Sequence, residues 1–191
     1  MSFLSFVHQP NTRHARRAFL GKSGVMLSGA AVALMAGRDT LAKGKPSDAS
    51  DVRILNTALG AELEAIAAYQ LGAESGLLKK PALDLALTFQ GHHKEHADLL
   101  SKTITTLGGS PVAAKKVYTF PTDKLKSDVD VLQFAAMLEK GAVSAYLGAV
   151  PVFDNRDLAK AAASILGDEA MHWAVLRNAL GQPPVPTAFM T

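Results

Sequence analysis

Glutamate and tyrosine recur at matched spacings in two parts of this 191-residue sequence. The segment from Glu62 to Tyr69 reads Glu-x-x-Ala-x-x-Ala-Tyr, and the same pattern returns 77 residues later, from Glu139 to Tyr146. A similarity that recurs at one fixed offset is stronger evidence of an internal repeat than any single motif. The pattern therefore predicts two structurally equivalent halves, each with a glutamate at the corresponding place.

A second matched pair carries imidazoles. His93-x-x-His96 corresponds to Glu169-x-x-His172. The histidines that end the two motifs, His96 and His172, lie 76 residues apart. Residues three apart share one face of a helix, so both side chains of each motif can bind one ion. Carboxylate and imidazole ligands suit iron and manganese, with zinc as an alternative. Since the chain has no cysteine, disulfides, thiolate zinc sites, iron–sulfur clusters and cysteine nucleophiles are excluded.

Four amphipathic segments carry these motifs. Apolar residues recur at helical spacing in each segment. Ser50 or Asp51 is a candidate cap for the first, Ser127 or Asp128 for the third and Asn155 for the fourth, while Pro81 suits the first turn of the second. Glycines end the first, second and fourth segments, and Pro151 ends the third. The sequence thus predicts four long helices, at about 51–75, 81–107, 128–150 and 155–180.

Loop lengths predict how these helices are connected. About five residues join the first two segments and about four join the last two, so each pair forms an antiparallel hairpin. About 19 residues, 108–126, join the two hairpins, and a fully extended chain of this length reaches about 60 Å. A 27-residue helix is about 40 Å long. The connection can therefore cross the whole length of the bundle.

The chain resembles the ferritin-like superfamily, in particular its exported bacterial members, over about residues 50–181. That resemblance implies an all-α, ferritin-like four-helix bundle of two antiparallel hairpins joined by a long crossover. In such proteins a dinuclear site takes a glutamate from each of two helices and a Glu-x-x-His from each of the other two. The resemblance implies a metal site with the following ligands: Glu62, His93, His96, Glu139, Glu169 and His172.

The sequence departs from the ferritin-like pattern at His93, which stands where a bridging glutamate is common. Neutral imidazole binds one metal through one nitrogen, so one bridge between two ions would be missing. The site is then expected to hold a loosely coupled pair, a single ion or none, with Glu169 as the remaining bridge. His92 is an alternative to His93 as the inward-facing residue, and Glu95 is a weaker replacement.

The N-terminus has the features of an export signal. Arg16-Arg17-Ala18-Phe19-Leu20 resembles the twin-arginine motif, and an apolar stretch of about 14 residues follows, shorter than the roughly 20 residues of a membrane-spanning helix. Residues 1–42 are expected to be a twin-arginine signal peptide that engages the twin-arginine translocase. The alternatives are an uncleaved anchor and an ordinary amphipathic helix.

Charge follows the same division of the chain. Residues 1–42 carry a net charge of +4, whereas residues 43–191 carry −1. The excess of basic residues thus lies in residues 1–42, and residues 43–191 lack the net positive charge that is typical of nucleic-acid binding. The expected organisation is a polar lead-in at 43–50, the bundle at 51–181 and a proline-containing tail at 182–191, in a mature protein that is not embedded in the membrane.

Two functions are compatible with these features. The first is a periplasmic protein that binds one or two iron or manganese ions and has oxidoreductase activity on oxygen or peroxide. The second is a non-catalytic bundle with a degenerate metal site that serves as a stress or interaction module. Tyr69 and Tyr146 are expected to be core residues with tethered hydroxyls, the alternative being a redox role or a role in supporting the metal ligands. Trp173 is expected to pack in the core.

Replacing Arg16 and Arg17 together with lysine tests the export signal. The variant should accumulate in the cytoplasm with its leader intact, because the translocase recognises the arginine pair. Immunoblotting of cytoplasmic and periplasmic fractions gives the distribution. Processed protein in the periplasm of the double variant would contradict the twin-arginine assignment.

Overall fold

Four long helices form the part of the chain that the computed structural model describes, residues 46–190. Their bounds are α1 Pro46–Glu74, α2 Ala82–Thr106, α3 Asp128–Ala149 and α4 Arg156–Ala179. No strand occurs within these residues. Helix α1 packs mainly on α2, and α3 mainly on α4. The predicted all-α bundle of two hairpins is confirmed.

Local sequence signals set most of the helix ends. Ser127 caps α3 in a capping box, in which its hydroxyl accepts from the backbone N–H of Asp130 and the Asp130 carboxylate accepts from the backbone N–H of Ser127. Asn155 caps α4. Gly108 and Gly181 adopt positive φ just after α2 and α4, a conformation that ends helices and that glycine adopts without a Cβ clash.

The start of α1 differs from the sequence prediction. Because α1 begins at Pro46, Ser50 and Asp51 lie inside it, and the capping role predicted for them there is wrong. The Asp51 side chain is buried and instead accepts from the backbone N–H groups of Asp154 and Asn155, each at 2.9 Å. Asp51 therefore satisfies donors just before α4 and joins the two hairpins.

The crossover follows α2, contacts α1 near its start and contacts α3 near its end. Near its start, the Asn56 side chain on α1 donates to the carbonyl of Ser110 and accepts from the backbone N–H of Val112. Near its end, Phe120 packs edge-on against Phe134 of α3. A short 3₁₀ turn, Thr122–Lys124, precedes α3. The connection thus spans both hairpins, as its length predicts.

A polar layer divides the core into two apolar clusters. One cluster includes Leu59 and Leu100, and the other includes Phe89 and Leu176. Trp173 belongs to the second cluster, as predicted. Apart from Asp51, the buried polar residues of each helix lie between these clusters. The centre of the bundle is therefore the place where most of the buried charge is concentrated.

None of the helices within residues 46–190 combines the length and apolarity required to cross a membrane.

Candidate metal centre

All six residues expected to bind metal meet in this polar layer. Helix α1 contributes Glu62 and α3 contributes Glu139, while α2 and α4 contribute two residues each. All except His96 are almost completely buried, and the His96 side chain is 14% exposed. The antiparallel hairpins bring the midpoints of the four helices to one level, which is why residues far apart in sequence converge here.

Four residues form the first group of potential ligands: Glu62, His93, His96 and Glu169. His93 Nδ1 lies 2.8 Å from Glu62 Oε2 and 3.6 Å from Glu169 Oε1. His96 Nδ1 lies 3.6 Å from the same Glu62 oxygen and 3.1 Å from the same Glu169 oxygen. Two nitrogens thus face two carboxylate oxygens, one from each of two helices.

A second group mirrors the first and contains His93, Glu139, Glu169 and His172. Glu139 Oε1 lies 3.2 Å from His93 Nε2 and 3.5 Å from His172 Nδ1. His172 Nδ1 also lies 3.4 Å from Glu169 Oε2. His93 and Glu169 are shared, and each directs a different atom toward each group. The sequence predicts that His93 binds one ion through one nitrogen. The structure places its Nδ1 in the first group and its Nε2 in the second.

The donor atoms of the two groups fit a metal ion. Five buried atoms have no hydrogen-bond partner in the described part of the chain: His96 Nδ1, Glu139 Oε2, Glu169 Oε1, Glu169 Oε2 and His172 Nδ1. A buried polar atom without a partner costs about 1–3 kcal/mol. With metal–ligand bonds of about 2.1 Å, neighbouring ligands lie about 3.0 Å apart in an octahedron and about 3.4 Å apart in a tetrahedron. The nitrogen–oxygen separations within the two groups, 2.8–3.6 Å, span these values.

Glu62 and Glu139 each belong to one ligand group only and are called the outer glutamates below. A tyrosine from the opposite hairpin holds each of them, so the two contacts are related by a pseudo-two-fold axis between the hairpins. The Tyr146 hydroxyl on α3 donates to Glu62 Oε1 on α1 at 2.6 Å. Reciprocally, the Tyr69 hydroxyl on α1 donates to Glu139 Oε1 on α3. Burial, together with the nearby carboxylates, raises the pKa of both tyrosines well above the usual value. The predicted tethering of both hydroxyls is confirmed, and both remain protonated donors.

The structure distinguishes between the neighbouring residues of α2. His93 is buried at the centre of the cluster. The side chain of His92 is 42% exposed and lies at the outer edge, with Nδ1 2.9 Å from His172 Nε2. Glu95 is exposed. His93 therefore faces the candidate site, and Glu95 does not replace it.

Asp168 is the site residue that sequence reasoning missed. Its Oδ2 lies 3.3 Å from His96 Nε2 and 3.3 Å from His172 Nε2. When a carboxylate accepts from Nε2–H, the lone pair of a neutral imidazole lies on Nδ1, the atom that both histidines direct into the cluster. The available signal was the spacing, because Asp168 precedes His172 by four residues and shares its helix face.

Without metal, the cluster is a set of imidazolium–carboxylate contacts. Burial disfavours charge on every member, but contacts with Glu139 and Glu62 outweigh it and raise the pKa of His93 to about 11. Contacts with Glu169 and one outer glutamate likewise raise the pKa of His96 and of His172 to about 9. The histidine contacts overcome burial and lower the pKa of Glu62 and Glu139, whereas burial raises that of Glu169.

Residues 50–182 match the ferritin-like domain family. The chain therefore belongs to that family, whose sites between four helices correspond in position to the cluster described above.

The fold is also similar to a solved structure, that of a conserved hypothetical protein from Mycobacterium tuberculosis. The two share 22% sequence identity and superpose with a TM-score of 0.65, over 75% of this chain and 99% of the other. At this identity the likeness concerns the fold alone. No curated protein matches the chain.

Histidine protonation predicts how the stability of the metal-free protein depends on pH. Because the pKa of His96 and of His172 rises from 6.5 to about 9 on folding, their stabilising effect is complete below pH 6.5 and is lost as the pH rises through 9. Chelator-treated protein should unfold at lower urea concentration at about pH 10 than at about pH 6.

His96→Gln is the control for this pH dependence, since it keeps a hydrogen-bond donor but does not titrate. The difference between the two unfolding midpoints, followed by circular dichroism, should shrink in this variant. Equal midpoints for the wild-type protein at both pH values would contradict the predicted charge state.

Proposed function

We propose that this protein is an exported ferritin-like protein that binds iron or manganese and has oxidoreductase activity on oxygen or peroxide. One observation carries the proposal: five buried side-chain atoms at the centre of the bundle have no hydrogen-bond partner among the described residues. Four of them, on His96, Glu169 and His172, lie within 3.6 Å of other members of two adjacent groups of four potential ligands. Imidazole and carboxylate are the ligand types that suit these metals.

Each group would hold one ion. Glu62 and His96 would be the ligands particular to one position, and Glu139 and His172 those particular to the other. Glu169 would bridge the two positions, because its Oε1 faces the first group and its Oε2 the second. A bound iron or manganese ion would supply the one-electron chemistry that amino-acid side chains lack.

The surrounding residues would orient these ligands. Asp168 Oδ2 lies 3.3 Å from Nε2 of both His96 and His172. His92 Nδ1 lies 2.9 Å from Nε2 of His172. These acceptors would keep the N–H of both rings on the outer nitrogen. Tyr146 and Tyr69 fix the rotamers of the two outer glutamates. Partners of this kind typically account for about 10- to 100-fold in metal affinity. The apolar clusters on both sides exclude bulk water, which strengthens the electrostatic interactions within the layer.

His93 would make the two positions unequal in practice. A neutral imidazole has one lone pair and one N–H. If an ion takes one ring nitrogen, the other carries hydrogen and can donate to the glutamate of the opposite position, which lies within 3.2 Å on either side. The first ion should therefore bind more tightly than the second.

The proposed location is the periplasm. Its support is the twin-arginine pattern at Arg16 and Arg17, which lies outside the described residues. The twin-arginine translocase carries folded proteins, so this route suits a bundle that must take up its metal before it crosses the membrane.

A non-catalytic stress or interaction module is the second candidate function. It is favoured by the hydrogen bonds of His93, which contacts Glu62 at 2.8 Å and Glu139 at 3.2 Å. These contacts place a positive side chain between the two outer glutamates and compensate part of their buried charge without a metal ion.

Metal stoichiometry separates the two functions. Wild type, Glu169→Ala and His93→Glu would be expressed with iron and with manganese and measured by elemental analysis. Glu169→Ala should lose the most metal, because it removes a ligand from both positions. His93→Glu should raise occupancy of the second position, since it restores a second carboxylate bridge.

Glu95→Ala is the matched control, because Glu95 lies on the exposed face of α2 and should leave the metal content unchanged. If the wild-type protein carries neither metal and His93→Glu gains none, the site is vestigial and the non-catalytic function replaces the proposed one.

A further inference from the structure

A cavity of about 60 Å³ lies between α1 and α3, next to the candidate metal centre. These helices belong to different hairpins and pack on each other less extensively than the two members of either hairpin. Alanines at helical spacing form much of the wall on both helices, and Ile54, Thr57, Glu64 and Leu138 also line it. The alanines are Ala58, Ala61 and Ala65 on α1 and Ala142, Ala145 and Ala149 on α3.

The inner end of this cavity is polar. Glu62, His93 and Glu139 line it together with the alanines. Glu139 is 1% exposed, and its Oε2 has no hydrogen-bond partner among residues 46–190. The cavity thus joins an apolar wall to a buried carboxylate of the candidate metal centre.

The internal repeat offers a comparison, because a second cavity lies at the part of the α1–α3 interface that the 77-residue offset relates to the first. That second cavity measures only about 20 Å³, and neither Glu62 nor Glu139 lines it. By the 77-residue offset, Leu138 corresponds to Ala61 and Phe134 to Thr57. The second cavity thus has leucine and phenylalanine at the two positions where the first has alanine and threonine, although Leu138 also lines the first.

We propose that the larger cavity, hereafter the α1–α3 cavity, binds one small apolar molecule, and that this molecule is dioxygen in the working protein. The proposal rests on the oxidoreductase function proposed above and names its substrate. Alanine methyl groups offer no hydrogen bonds, so hydrogen peroxide would lose its water contacts along most of the wall. Dioxygen loses none, and apolar cavities of proteins bind xenon and similar apolar molecules.

Xenon provides a probe of the α1–α3 cavity that does not depend on metal. Crystals of the full-length protein pressurised with xenon should show a xenon atom between α1 and α3. Ala61→Leu, which copies the residue at position 138, should abolish this site. Ala135→Leu fills the smaller cavity instead and should leave the xenon site intact.

Two results would overturn the cavity proposal. One is ordered water, with no xenon, in the wild-type cavity. The other is xenon bound between α1 and α3 in Ala61→Leu. Ala145→Val adds less volume and serves as the second variant if Ala61→Leu fails to fold. It should reduce the xenon occupancy.

Oxidation of protein loaded with iron(II) tests whether dioxygen is the occupant. Ala61→Leu should consume dioxygen several-fold more slowly than wild type at equal iron content, whereas Ala135→Leu should match wild type. Equal rates in wild type and Ala61→Leu would overturn the assignment of dioxygen. A chain that holds neither iron nor manganese would overturn the proposed function, while absence of xenon from a metal-loaded protein would overturn only the cavity proposal.

Discussion

Burial of carboxylates at the centre of the bundle is the constraint that the rest of this structure satisfies. Glu62, Glu139 and Glu169 are each at most 2% exposed, and removing an ionised carboxylate from water costs several kcal/mol unless opposite charge compensates. Histidines from α2 and α4 provide that charge when protonated, and two tyrosines and Asp168 fix the orientations. The apolar clusters on both sides follow from the same arrangement, since they hold the four helices at the distance at which these side chains meet.

The internal repeat explains why the site has two halves, and the differences between its copies suggest a function for each. Reciprocal bonds of Tyr69 and Tyr146 with opposite glutamates preserve the pseudo-two-fold symmetry. His93 breaks it where α4 has Glu169, and its ring contacts both outer glutamates. Ala61 and Leu138 break it again on the α1–α3 seam. The first difference concerns how many ions the site would hold, and the second concerns which molecule would reach them.

Much of the fold and of the candidate site is legible in the sequence because both depend on local spacing. Residues three apart on a helix share a face, and short loops force antiparallel pairs, so the convergence of Glu62 with His96 follows from the pattern. Contacts between distant helices do not follow from it. Asp51 stabilises the start of α4 through residues more than 100 positions away. The shared role of Asp168 likewise depends on side-chain directions across the interface of α2 and α4.

Anomalous diffraction at the iron and manganese edges tests the central claim most directly, because it locates each ion relative to named ligand atoms. Crystals grown with either metal should show a peak within coordination distance of Glu169 and of at least one of His96 and His172. If both positions are occupied, we expect two peaks of unequal height, the stronger at the position that binds the first ion. A map without a peak at the cluster for either metal, with His93 still hydrogen-bonded to Glu62 and Glu139, would contradict the account.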